Sequence, residues 1–180
     1  MYTGITRGVY EVASIERRAG VLAYRVALPA SLREGLEVGA SVSIDGVCQT
    51  VVSLDESGVL FEAIQETLDL TTLDSLAVGH LVAVERSSRV GDEIGGHDVA
   101  GHVIGTGRIV ERTAVGEQCD LTIEVPAAWM KYILFKGFIA IDGSSLTVGK
   151  VDPKGRFDLH LIPETLRLTR LGRIEVGDQV

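Results

Sequence analysis

Only two cysteines, Cys48 and Cys119, occur in 180 residues, too few for a disulfide framework. They read as free thiols in a reducing compartment. Positive charge is also short. The formal net charge is −8 with a pI near 5.0, which excludes a general nucleic-acid or membrane-surface binder and argues against a substrate with a dense phosphate cluster. No run approaches the roughly 18 apolar residues of a transmembrane helix. Met1-Tyr2-Thr3-Gly4-Ile5 has neither the basic flank nor the apolar stretch of a signal peptide, so a cytoplasmic protein without membrane partner is expected.

What the chain does contain is the same message twice. Leu28-Pro29, Ile44-Asp45-Gly46 and Thr50-Val51 return as Val125-Pro126, Ile141-Asp142-Gly143 and Thr147-Val148, each 97 residues later. Glu66-Thr67-Leu68 and Val78-Gly79 return as Glu164-Thr165-Leu166 and Val176-Gly177 at an offset of 98. That period is too long for a solenoid unit and fits a small domain. The expected organisation is a first copy over residues 1–86, a polar glycine-bearing connector over 87–96, and a second copy over 97–180. Two like domains offer two like pockets, suited to a pair of similar molecules.

Within each copy, short apolar or alternating runs are separated by turn residues. Leu22, Tyr24, Val26 and Leu28 share one face of a strand, with Arg25 on the other toward solvent. Asp45-Gly46 and Asp142-Gly143 are hairpin signals, and Asp55-Glu56-Ser57-Gly58 opens another. Short helices are expected at 29–36 and 126–135, each led by proline, with helical turns at 67–73 and 165–171. The expected fold is all-β: two similar six-stranded antiparallel Greek-key barrels in tandem.

Several blocks are similar to one known family. Met1-Tyr2-Thr3-Gly4-Ile5, Asp45-Gly46-Val47-Cys48-Gln49-Thr50-Val51, Gly91-Asp92-Glu93-Ile94-Gly95-Gly96-His97, Gly101-His102, Ile141-Asp142-Gly143-Ser144-Ser145-Leu146-Thr147-Val148 and His160-Leu161-Ile162-Pro163-Glu164-Thr165-Leu166 resemble riboflavin synthases of the alpha-chain type. The resemblance covers essentially the whole chain with the blocks in order. It implies dismutation of two 6,7-dimethyl-8-ribityllumazine molecules by four-carbon transfer, giving riboflavin and 5-amino-6-ribitylamino-pyrimidinedione without metal or organic cofactor. It also implies a homo-oligomer, a trimer, with the active site between neighbouring subunits. The family includes lumazine proteins that bind the same ligands without turnover, and that is the alternative reading.

The resemblance assigns roles. Gly4, Ile5 and Gly101 line the rims where a flat heterocycle is read by backbone groups. Thr50, Glu66 and Thr67 in the first copy, and Thr147, Glu164 and Thr165 in the second, supply hydroxyls and carboxylates for a neutral ribityl chain. Asp-Gly and Glu-Thr pairs alone are ordinary turns and caps, and it is their recurrence in register that points to a ligand. Cys48 falls where a family cysteine lies in the pocket, with Ser145 at its equivalent. A buried cysteine is more often a small hydrophobe, so contact with ligand or water is expected rather than covalent chemistry. His102, at the second copy's equivalent of Ile5, is the acid/base candidate for a reaction that moves methyl protons. His97 is a weaker one. Ser41 and Lys136 fall on family positions for orienting the acceptor ring and stabilising a developing anion.

Gly101 to Gly107 superficially resembles a phosphate loop but lacks the required spacing and strand–helix context. Two substitutions mark departures from the family, Gln49 for an aliphatic residue expected in the pocket lining and Tyr2 for phenylalanine. In the family an acidic active-site residue on a further strand, then a helix joining three subunits, follow the stretch matched here. The oligomeric state is left open.

Overall fold

The computed structural model describes the backbone of residues 1–180 and every side chain except that of Val115. The first copy is built from β1 (Val9–Arg18), β2 (Val21–Val26), β3 (Ser41–Ile44), β4 (Val47–Asp55), β5 (Gly58–Ile64) and β6 (Leu81–Arg86). These close into an antiparallel barrel in the order β1-β2-β5-β4-β3-β6. Closure leaves no strand edge unpaired within the copy. The second copy comprises β7 (Arg108–Val115), β8 (Gln118–Glu124), β9 (Phe138–Ile141), β10 (Ser144–Asp152) and β11 (Arg156–Leu161). They repeat the order as β7-β8-β11-β10-β9. Gln179 bridges Arg108 as Leu81 of β6 pairs with Glu11 of β1.

Short helices link the strands, three of them opened by proline. They are α1 (Ala30–Arg33) after Pro29, a 3-10 segment at Ala127–Tyr132 after Pro126, α2 (Gln65–Leu70) and α3 (Pro163–Leu168). After α2 and α3 the same device recurs. The hydroxyls of Thr71 and Thr169 donate back to the carbonyls of Thr67 and Thr165, then accept the amides of Leu73 and Leu171. Among the described residues no helix is long and apolar enough to cross a membrane.

The period-2 pattern sorts interior from exterior as expected. Leu22, Tyr24, Val26 and Leu28 are all buried, joined by Val42, Ile44, Val51, Val59, Phe61, Val82 and Val84. Arg25 lies on the outer face but is not free in solvent, because it bridges Asp55 at 3.1 Å and donates to the Gly58 carbonyl. Gln49 corrects one expectation. It points into the first barrel, where it accepts from the Tyr24 hydroxyl at 3.2 Å and donates to the Cys48 carbonyl at 3.0 Å, so it lines no outward pocket.

The copies meet about a local pseudo-twofold axis. Tyr2 and Val99, equivalent in the repeat, exchange both backbone hydrogen bonds at 2.8 and 2.9 Å. The two Asp-Gly turns face each other so closely that a Cβ on Gly46 would lie 2.5 Å from the Gly143 nitrogen. Asp45 (φ 45°) and Asp142 (φ 46°), each followed by a positive-φ glycine, make the hairpin turns whose twist suits the flanking strands.

Beneath these turns lies a shared charge cluster. The side chains of Asp45 and Asp142 are 3% and 2% exposed, and one guanidinium, Arg170, serves both. It contacts Asp142 at 2.6 Å and approaches Asp45 at 3.9 Å, while Asp45 also accepts the Ala83 amide at 2.7 Å. Burial, then the charge of Asp142, pushes the Asp45 carboxyl up to about 7. With Asp45 protonated the trio is neutral, the arrangement a dry interface favours.

The folded pKa of Asp45 stands above the unfolded value of about 3.9, so its contribution to stability is whole below that pH and is lost as pH rises through about 7. Asp45→Asn, which tolerates the positive φ and keeps an acceptor for Ala83, will flatten the pH dependence of stability between about pH 4 and 7, measured by urea unfolding. Arg170→Ala strands the buried Asp142 carboxylate and will cost about 3–5 kcal/mol in the same assay.

Candidate functional site: two outward half-sites

The candidate residues lie on the outer faces of the sheets. In the first copy Ser41 pairs with Thr50 across β3 and β4, and Ser43 with Cys48, so these four share the outward face. Ser41 and Cys48 are half-buried and Thr50 is exposed. From the end of β5 the same face continues through Ile64 to Glu66 and Thr67 on α2. Ile64 is 56% exposed, an apolar floor among polar groups.

The second copy repeats the design with altered chemistry. Phe138 replaces Ser41 opposite Thr147, and Ala140 stands opposite Ser145. Ile162, at the place of Ile64, is again 56% exposed, followed by Glu164 and Thr165 on α3. Glu164 is engaged by Arg167 through two contacts of 2.9 and 2.6 Å, which hold its carboxyl below the usual range. Glu66 is exposed in the first turn of α2. The flat apolar residue and the rim hydroxyls suit a heterocycle bearing a neutral polyol.

Each half-site borrows its rim from the other copy. The Cys48 amide donates to the Gly101 carbonyl at 2.8 Å, and the Ser145 amide donates to the Gly4 carbonyl at 2.8 Å. Gly101 and His102 therefore belong to the first half-site, and Gly4 and Ile5 to the second. His102 is exposed and also borders an apolar cavity of about 380 Å³. That cavity is the inside of the second sheet, lined by Ile123, Val125, Trp129, Ile133, Ile139 and Ile141, and it meets Gly101 and His102 at the rim of the first half-site. Their counterparts in the first copy are core residues, so the cavity is barrel interior rather than a ligand surface.

Three further details shape the half-sites. The Tyr2 hydroxyl donates to the Cys48 sulfur at 3.2 Å, so the departure from phenylalanine adds a direct contact to a candidate residue. Burial, then this bond, raises the Tyr2 pKa and keeps the hydroxyl protonated. His97 places Nδ1 2.6 Å from the Ser145 hydroxyl with its ring 4.4 Å from that of Phe138. Burial lowers its pKa, favouring the neutral imidazole. Lys136 adopts φ +61° where the first copy has Gly39 at φ +88°; the Lys136 N–H donates to the Val148 carbonyl of β10 as the Gly39 N–H does to the Val51 carbonyl of β4. Its ammonium is exposed, 5.6 Å from the Phe135 ring centre. A lysine holds that left-handed backbone at a cost that glycine does not bear. Among the described residues no three or more His, Cys, Asp or Glu side chains gather as a metal site.

Comparisons with known proteins agree with the duplication. The family model for the lumazine binding domain matches twice, over residues 3–87 and 100–180. The riboflavin synthase of Escherichia coli (strain K12) is 43% identical over 181 residues, covering 100% of this chain and 84% of that protein. The riboflavin synthase of Brucella abortus (strain 2308) is 39% identical over 185 residues, covering 100% and 91%. The chain belongs to the riboflavin synthase family. The fold is likewise that of LumP complexed with riboflavin, with TM-score 0.92 at 23% identity over 100% of this chain and 97% of that one.

Ile64, Ile162, Phe138 and Glu85 escaped the sequence reading. The isoleucines had a signal, since each stands two residues before a recurring glutamate. Glu85 had none, because its contacts come only through folding.

The two glycines at the crossed rims test this geometry. Gly4 (φ +74°) would place a Cβ 2.6 Å from that of Ser145, and Gly101 (φ +76°) one 2.8 Å from that of Cys48. Gly4→Ala and Gly101→Ala each add about 1–2 kcal/mol of backbone strain plus a displacement of the neighbouring strand. Each will weaken riboflavin binding at least about tenfold, read by quenching of flavin fluorescence, while the far-ultraviolet circular dichroism stays that of the parent.

Proposed function

We propose that the protein has riboflavin synthase activity: it converts two molecules of 6,7-dimethyl-8-ribityllumazine into riboflavin and 5-amino-6-ribitylamino-pyrimidinedione. The observation that carries the reading is the pair of like half-sites, each holding a small donor (Cys48 or Ser145), a threonine (Thr50 or Thr147), an exposed isoleucine and a Glu-Thr pair at equivalent places. Full-length similarity to curated riboflavin synthases supports it.

The two substrates together contain every atom and electron of the two products. The work left to the protein is positioning and proton transfer. Holding the two rings in register removes much of the entropy cost of a bimolecular step, up to about 7–11 kcal/mol. The half-sites are open outer faces. A second copy of the chain, laid over them in a homo-oligomer, sets a ring on one half-site against a ring on another and excludes water. His102 takes a methyl proton of the lumazine on the first half-site, and Ser41 and Cys48 orient that ring. The glutamates and threonines hold the ribityl hydroxyls. Lys136 meets negative charge that develops on the ring beside it.

Incubation of the purified chain with 6,7-dimethyl-8-ribityllumazine tests this directly. Accumulating riboflavin fluorescence is the expected result. Lumazine that binds but stays unchanged identifies a carrier instead. His102→Ala will slow turnover at least about tenfold while ligand binding is largely kept. Equal rates in mutant and parent remove His102 from the mechanism.

A further inference from the structure

Glu85 lies in a row that crosses three strands. It pairs with Ser43 across β6 and β3, and Ser43 pairs with Cys48 across β3 and β4, so Glu85 faces outward on the side that carries Cys48. Yet it is only 5% exposed, because the Tyr2–Gly4 segment lies over it. One carboxylate oxygen accepts the Thr3 amide and the Thr3 hydroxyl, both at 2.7 Å, and the other accepts the Gly4 amide at 3.0 Å. All three donors belong to the segment it holds.

That segment is where the two half-sites touch. Tyr2 reaches the Cys48 sulfur with its hydroxyl, the Thr3 carbonyl accepts the His97 amide at 3.0 Å, and the Gly4 carbonyl accepts the Ser145 amide. The repeat is lopsided here. Ala100 stands at the place of Thr3 and has no hydroxyl to offer, so the second copy lacks that donor.

We propose that Glu85 is a positioning residue for both half-sites, fixing the Tyr2–Gly4 segment in the one setting that serves Cys48 on one side and Ser145 on the other. The inference rests on the assignment of these faces as the ligand sites. A carboxylate is needed because both oxygens must accept from donors set along the chain. A glutamine amide would turn one acceptor into a donor facing an N–H. The three bonds are charge-assisted and stronger than neutral ones.

The test compares Glu85→Gln, Glu85→Asp and Thr3→Val with the parent by two readouts. One is riboflavin formation. The other is the rate of alkylation of Cys48 by iodoacetamide followed by mass spectrometry, with Cys119, which is 2% exposed, as the internal control. In Glu85→Gln, turnover will fall at least about tenfold through kcat. Cys48 alkylation will rise at least about fivefold as the Tyr2 side chain, no longer held, uncovers the half-buried sulfur to the reagent. Glu85→Asp, which keeps both acceptors, will recover part of each. If Glu85→Gln does not fold, Thr3→Val, which removes one donor of three, is expected to shift both readouts in the same directions. A folded variant with parental kcat overturns the proposal, as does lost turnover with unchanged alkylation of Cys48. A parent without turnover defeats the assigned activity instead, while the alkylation arm still decides the role of Glu85.

Discussion

The architecture depends on backbone contact between two copies of one turn. Gly46 and Gly143 approach so closely that no side chain fits on either, and the approach brings the Asp45 and Asp142 carboxylates into one dry space. Such a space tolerates one counter-ion and one proton, and Arg170 with protonated Asp45 supplies both. The pairing of Tyr2 with Val99 and the crossed bonds from Cys48 to Gly101 and from Ser145 to Gly4 extend the same axis outward. The half-sites are therefore placed by the interface between the copies, not by either barrel alone.

The strand pattern dictates that the ligand faces look outward. In a barrel this small, alternate residues fill the interior, and Val42, Ile44, Val51 and Phe61 leave no room there. The positions between them, Ser41, Ser43, Cys48 and Thr50, have to face away. A site on the outside of a sheet is open on one side, and an open face excludes water only when something covers it. On the proposed reading, this is why chemistry on the faces calls for a partner surface.

Much of this was legible in the sequence. The repeat at offsets of 97 and 98 gave two domains, and Asp45-Gly46 and Asp142-Gly143 gave the hairpins whose turns meet on the axis. Alternation at Leu22, Tyr24 and Val26 gave the buried face of β2. Less visible was which face of a strand carries a lone polar residue when its flanks are ambiguous. Gln49, assigned to a pocket, lies inside the barrel, because burial of Val47 and Val51 fixes the parity of β4 and the Tyr24 hydroxyl satisfies the amide. Crossed rims were equally hidden. Gly4 and Gly101 are equivalent in the repeat, but nothing local says that each serves the other copy's half-site. Long-range hydrogen bonds decide that, and they leave no mark in spacing.

Duplication supplies like geometry, and the differences between the copies supply distinct chemistry. Cys48 faces Ser145 across the axis as one small donor against another, whereas Ser41 and Phe138, and Ile5 and His102, exchange polarity at equivalent places. A reaction in which one of two identical molecules gives carbon and the other receives it requires such inequality, since two identical sites would bind both rings in the same electronic setting. The imidazole of His102 is carried by the second copy and set beside the first copy's Cys48. Ile5, its apolar equivalent, is set beside Ser145. The half-site that gains the base is thus the one lined by hydroxyl and thiol, and the half-site that gains the aliphatic rim is the one floored by Phe138. On the proposed reading, polar proton handling is thereby segregated onto one ring's face and apolar stacking onto the other's, with the chain crossing at the axis as the device that keeps the two apart.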